Sequence, residues 1–317
     1  MTMRALRTIG VRLALATASV LCAAPIAMAQ RTHVLIVEGL SGDPAFKKTF
    51  DSAAATIRSA AKSKWNVADS SLIVLTEDSV GTGPQRARST RDAVAAAFLS
   101  LSKRVQPNDV LLVVLMGHGS GEGAASKVNL PGPDPTATDY ATWLAGFGRQ
   151  TVVFVNTASG SGDFLPVVSG SSRIIVTSTR NAMERNETVF LQNFAKGMTS
   201  DEGDADKDGR ISVLEAYRYA TKEVARTYES TGRMQTEHAQ LSDSVLARSV
   251  AFGGAAASSD PRIAALAAER QALEREVALL RNKKTTMDPA VYDKELERLL
   301  IAIAEKTQAI KALGSGK

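Results

Sequence analysis

The chain has 317 residues, 44% of them apolar and 22% charged, with a formal net charge of +5. That is the composition of an ordinary soluble protein of one or two domains, long enough to bury a full core. The single cysteine, Cys22, lies in an N-terminal leader, so the rest of the chain has no disulfide, no thiolate nucleophile and no cysteine metal site.

Residues 1–29 read as a secretory signal peptide. Arg4, Arg7 and Arg12 form a positive start, Leu13 to Ala24 is a short apolar run, and Ala27-Met28-Ala29 is a small-residue cleavage site before Gln30. The alternative is an uncleaved anchor, but that needs a span of ~20 apolar residues, and this run is shorter. Leu21 stands where a lipoprotein signal wants a small residue, which argues against a lipid anchor. Cleavage takes away three arginines and no acid, lowering the formal charge from +5 to +2, so nothing argues for nucleic-acid binding. The expectation is an exported protein, periplasmic or secreted, free of the membrane once the leader is gone.

Strands and helices then alternate. His33 to Val37 predicts a first strand and Gly39 to Gly42 a turn. Pro44 to Lys62 predicts a helix with Phe46, Phe50, Ala54 and Ile57 on one face. Leu72 to Leu75 is a second strand, and Thr76 to Ala87 a polar loop. A helix capped by Ser89 or Thr90 runs to about Arg104.

The third strand is uninterrupted apolar sequence from Leu111 to Met116, the pattern of a strand buried on both faces. It ends in Gly117-His118-Gly119, which displays His118 at the carboxyl end of the strand. In open α/β sheets, binding and chemistry sit outside those ends. The Gly- and Pro-rich stretch from Gly119 to Pro135 is a loop of a length that is usually functional or mobile. Thr138 to Gly146 predicts a short helix. Thr151 to Val155 is a fourth strand, ending in Asn156-Thr157-Ala158-Ser159-Gly160-Ser161-Gly162, and Arg173 to Thr177 a fifth. The expected fold class is α/β, a doubly wound, mostly parallel sheet flanked by helices.

From Asn186 the pattern is helical, with Val189, Phe190, Phe194 and Met198 on one face, then Val213, Ala216, Tyr217, Ala220, Val224 and Tyr228 on the next. Ser230 to Ala251 shows no clear period, and Gly253 to Ser259 reads as a flexible linker, closing a domain over 30–252. Residues 260–313 read as two helices joined over 282–289, with apolar seams interrupted by Arg270 and Lys306. This is an antiparallel helical hairpin of coiled-coil type. Such a hairpin serves self-association or docking, or packs on itself or its own domain.

The most specific motif lies inside the helical region, about residues 186–230. Asp204, Asp206 and Asp208 occupy positions one, three and five of an EF-hand loop, and Gly209 the turn at six. Arg210 offers its backbone carbonyl at seven, Ser212 acts at nine through water, and Glu215 closes the loop at twelve. Calcium takes six to eight oxygens, and carboxylates this crowded repel one another without a cation. The alternative is a solvated acidic loop capping the following helix. Ile211 is the apolar residue such loops use for pairing, yet the chain holds no second loop. A single hand in an exported protein points to a structural Ca2+ bound weakly, at ~0.1–1 mM.

Two buried strands, one ending in His-Gly and the next in a short Ala/Ser/Gly turn, resemble the caspase–legumain fold of cysteine peptidases, most closely its legumain-type branch. The resemblance covers roughly residues 31 to 230. It implies a caspase-like sheet, with an imidazole at one strand tip and a nucleophilic thiol at the next. His118 matches the imidazole. Aligned without gaps, Ala158 falls at the cysteine position; aligned on Ser161-Gly162, Ser159 does. The thiol itself is missing. A serine needs a histidine to take its proton, a third group to orient that histidine and an oxyanion hole. Glu122, Asp163 and Glu184 are the acids near the tips. Two expectations follow. One is a degenerate peptidase relative that binds a peptide or protein partner or assembles. The other is a serine-dependent peptidase or hydrolase using Ser159 and His118. His33 reads as structural, His238 as either bland or flanking the cleft, and Trp65 and Trp143 as packing residues.

Overall fold

The computed structural model describes residues 31–78, 86–252 and 260–314. The expected leader over 1–29 and linker over 253–259 lie outside the described residues. Strands are β1 (Thr32–Glu38), β2 (Leu72–Thr76), β3 (Arg86–Arg88), β4 (Val110–Met116), β5 (Gly119–Ser120), β6 (Lys127–Val128), β7 (Thr151–Asn156), β8 (Arg173–Thr177), β9 (Ile211–Ser212), β10 (Gln240–Leu241) and β11 (Ala251–Phe252). Helices are α1 (Pro44–Ser63), α2 (Arg91–Ser102), α3 (Ala137–Leu144), α4 (Phe164–Val168), α5 (Phe190–Thr199), α6 (Val213–Ser230), α7 (Ser244–Ser249), α8 (Pro261–Arg281) and α9 (Pro289–Gly314). Among the described residues no helix is long and apolar enough to cross a membrane.

The main sheet runs β10-β8-β7-β4-β1-β2-β3, parallel except at β10. All seven residues of β4 are buried, as a central strand covered on both faces requires. Leu112, Val114 and Met116 face a core built with α1, α5 and α6, while Leu111, Val113 and Leu115 face one built with α2, α3 and α4. The result is a three-layer α/β/α sandwich. Strand order reverses between β1 and β4, so the connections leaving those strands diverge and open a crevice at their carboxyl ends.

The sheet is wider than the apolar runs alone suggest. The Thr76–Ala87 loop gives way to β3 at its end, a polar Arg-Ala-Arg edge strand paired with Val74 to Thr76. The stretch from Ser230 to Ala251 contains β10 and α7. Both strands lie at the sheet edges, where the burial that produces an apolar pattern is missing. The Gly119–Pro135 loop is pinned by the small β5–β6 ladder.

In the tail, Lys306 pairs with Glu269 at 2.5 Å and Arg298 with Glu276 at 3.7 Å, which sets α8 and α9 antiparallel. Leu280, Tyr292 and Leu299 form their shared core. The opposite side of α8 places Ala278 in the main core, and Asn282 donates to Ser171 O and Asp243 Oδ2, both at 3.1 Å. The hairpin therefore packs both on itself and on the sheet domain.

Candidate functional site

His118 follows β4 and Ser159 follows the neighbouring parallel strand β7. The strand ends are tied directly, since Thr157 donates to Leu115 O through its N–H (3.0 Å) and its hydroxyl (2.8 Å). Side chains alternate between the faces of a sheet. Met116 faces α1, and His118, two residues on, does the same: its ring stands edge-on to Phe46 at 4.9 Å and lies 5.8 Å from Phe50. Ala158 is fully buried in the opposite core, among the residues of α3 and α4. Ser159 Oγ accepts a hydrogen bond at 3.3 Å from the N–H of Gly119, the residue after His118. Of the two residues aligned with a nucleophile, Ser159 is thus at the tip and Ala158 in the core.

The imidazole is oriented by a group that sequence reasoning missed. His118 Nε2 lies 3.1 Å from Ser41 O. A carbonyl only accepts, so Nε2 carries the proton and the neutral ring keeps its lone pair on Nδ1. Ser41 is itself held by Glu77, which accepts from its N–H (3.0 Å) and its hydroxyl (2.5 Å). A backbone carbonyl carries no residue-type signal, so only the folded turn after β1 reveals this role.

No hydrogen bond joins His118 to Ser159 among the described residues, and none joins His118 to a carboxylate. Asp163 accepts from Gly123 N (2.7 Å) and Ala182 N (3.2 Å), and Glu122 pairs with Arg185 at 3.2 Å. Glu184 serves a different histidine, His238, at 2.6 Å, while its carbonyl accepts from Gly160 N at 2.9 Å. His33 is buried and bonded to Asp109 at 3.1 Å, at the far end of the sheet. Gly119 is required by close approach: a Cβ there would lie 2.2 Å from Ser159 O. Beside the tip, at the end of β1, Glu38 is 2% exposed and its Oε2 has no hydrogen-bond partner. Burial, reinforced by the negative charge of Asp51, pushes its carboxyl up to about 7.

The loop at 204–215 is the second candidate. Carboxylate oxygens of Asp204, Asp206 and Asp208 lie within 4.8 Å of one another. Gly209 has φ of 83°, the left-handed turn that glycine makes without strain, and its N–H donates to Asp204 Oδ2 at 3.0 Å. Asp204 Oδ1 is buried with no hydrogen-bond partner. Burial, and then the charges of Asp208, Glu215 and Asp204, push the Asp206 carboxyl up. These oxygens fit a hard cation. Glu215 is outside the three-aspartate cluster. Its oxygens accept from Ala205 N, Asp206 N, Ser212 N and Ser212 Oγ, completing a capping box at the start of α6. Arg210 turns its guanidinium to Asp208 Oδ2 at 3.2 Å. Ile211 pairs in β9 with Phe252 of β11, so a segment of the same domain takes the pairing role of a second loop.

No family model and no curated protein matches the chain. Among solved structures it is similar to protein GSU0716 of Geobacter sulfurreducens at 10% identity and a TM-score of 0.44, over 67% of this chain and 92% of that one. It is also similar to the Drosophila initiator caspase Dronc at 10% identity and a TM-score of 0.38, over 67% of this chain and 78% of that one.

Proposed function

We propose that this is an exported, calcium-binding relative of the caspase–legumain peptidases that has lost its nucleophile and now serves in binding or assembly. The observation that carries the reading is the separate satisfaction of His118 and Ser159, each by a backbone group and neither by the other. A hydroxyl becomes a nucleophile only when a base takes its proton. Here the imidazole is oriented by a neutral carbonyl, and among the described residues no carboxylate is hydrogen-bonded to it to stabilise an imidazolium. The Gly119 N–H, well placed to meet a developing oxyanion, is instead donated to Ser159 Oγ. A thiol in that place would be acidified by the same surroundings; a serine is left idle.

The second reading, a serine-dependent peptidase or hydrolase, is favoured by the hydrogen bond that holds Ser159 Oγ beside Gly119, the residue after His118. A serine-reactive fluorophosphonate separates the two. Intact mass spectrometry is expected to show no adduct. An adduct at Ser159, lost in Ser159→Ala and in His118→Ala, would establish the hydrolase.

In the same proposal Asp204, Asp206, Asp208, the Arg210 carbonyl, Ser212 and Glu215 hold calcium. The ion supplies the positive charge that lets these oxygens share one small volume. Its role is structural: the loop joins α5 to α6, which pack on one face of the sheet.

A further inference from the structure

The amino-terminal end of the sheet, opposite the strand tips, carries a separate cleft of about 240 Å³. The turns leading into β4, β7 and β8 form one wall and α8 forms the other. Arg275 of α8 lines it, is 7% exposed, and leaves Nη1 without a hydrogen-bond partner. Burial, and after it the charge of Arg210, pushes this guanidinium down to about 10. A buried cation outside any ion pair is an unfavourable group for a fold to hold.

Glu276 and Glu274 attract it from a distance, but neither forms an ion pair with it. Adjacent positions on a helix do not face each other. Glu274 is paired with Arg270 at 3.3 Å, and Glu276 with Arg298 at 3.7 Å. Arg149 and Lys283 also line the cleft, and among the described residues neither side chain is in an ion pair. Glu276 is the one carboxylate in the lining. Three cations against one carboxylate leave an excess of two positive charges.

We propose that this cleft binds a phosphate-type dianion, either inorganic phosphate or the phosphate group of a small monoester. Arg275 is the inner ligand, because a guanidinium presents parallel N–H donors that match two oxygens of one phosphate. Arg149 and Lys283 close on it from the exposed rim. A monocarboxylate would leave half of the excess charge unmatched. The cleft is also larger than a bare phosphate, which leaves room for a small organic substituent.

The test is calorimetric titration of inorganic phosphate, phenyl phosphate and acetate into the full chain at constant ionic strength in chloride. One phosphate-bearing ligand per chain is expected, with no saturable binding of acetate. Tighter binding of phenyl phosphate would identify a monoester site; equal or weaker binding would identify phosphate itself. Arg275→Met should weaken binding by at least about tenfold without lowering the melting temperature of the free protein. If that variant fails to fold, the rim double variant Arg149→Ala/Lys283→Ala, at exposed positions, should weaken binding to a similar degree. Absence of phosphate binding, equal affinity for acetate, or affinity unchanged in the variant that folds would overturn the proposal. None of these outcomes depends on the strand-tip site.

Discussion

The 204–215 loop and the strand tips both gather polar groups in a small space, but in opposite states of balance. In the loop, three aspartates crowd together, one buried oxygen has no partner, and burial, then the neighbouring negative charges, raise Asp206. At the tips, His118 and Ser159 each rest against a backbone group, and the nearby buried acid, Glu38, is biased toward its neutral form. A cluster of like charges points to the chemistry that would balance it. A cluster already satisfied reveals only its geometry. In the proposed reading the loop is an ion site and the tips are a scaffold at rest.

The largest expected effects test how tightly the tips are built. Gly119→Ala forces a Cβ against Ser159 O, and is expected to cost about 3 kcal/mol of stability in urea unfolding. Little loss would mean the tips are looser than described. Glu38 gives a pH signature of similar size. Its folded pKa of about 7 lies above its ordinary value of 4.5, so the folded state binds the proton more tightly. Stability should fall as pH rises through the window between those values and level off above it. The drop is roughly 3 kcal/mol at most. Glu38→Gln should flatten that part of the stability–pH curve relative to the parent. An unchanged curve would show that Glu38 is solvated, and the contrast with the loop would weaken.

Smaller effects test the loop. Calcium is expected to raise the melting temperature of the parent chain. Glu215→Ala should abolish that rise and, even without calcium, cost about 1 kcal/mol through loss of the capping box. A rise that persists in the variant would place the ion elsewhere. The smallest change is Ser159→Ala. It removes one long hydrogen bond and should shift stability by no more than about 1 kcal/mol.

How much of this was legible in the sequence follows from the same contrast. The loop is written in consecutive residues, so spacing alone exposed Asp204, Asp206 and Asp208. The same residues also allowed a loop capping the following helix, and Glu215 does cap α6 against Ser212. The buried strands were legible because β4 and β7 are covered on both faces, which forces unbroken apolar runs. Edge strands β3 and β10 carry no such pattern and were hidden. Ser41 was hidden for another reason: it acts through its backbone carbonyl, and only the turn after β1 brings that oxygen to His118. The choice between Ala158 and Ser159 also needed the fold, because only there is Ala158 seen buried in the core and Ser159 Oγ bonded beside His118.

The most direct test of the central claim restores the missing atom. From Gln30 onward the chain has no cysteine, so Ser159→Cys carries a single thiol there. If the tips still frame a thiol and an imidazole, the pH dependence of its alkylation by iodoacetamide should give a pKa well below the ordinary ~8.5. Adding His118→Ala should return it toward that value. An ordinary pKa in Ser159→Cys, indifferent to His118, would contradict the account.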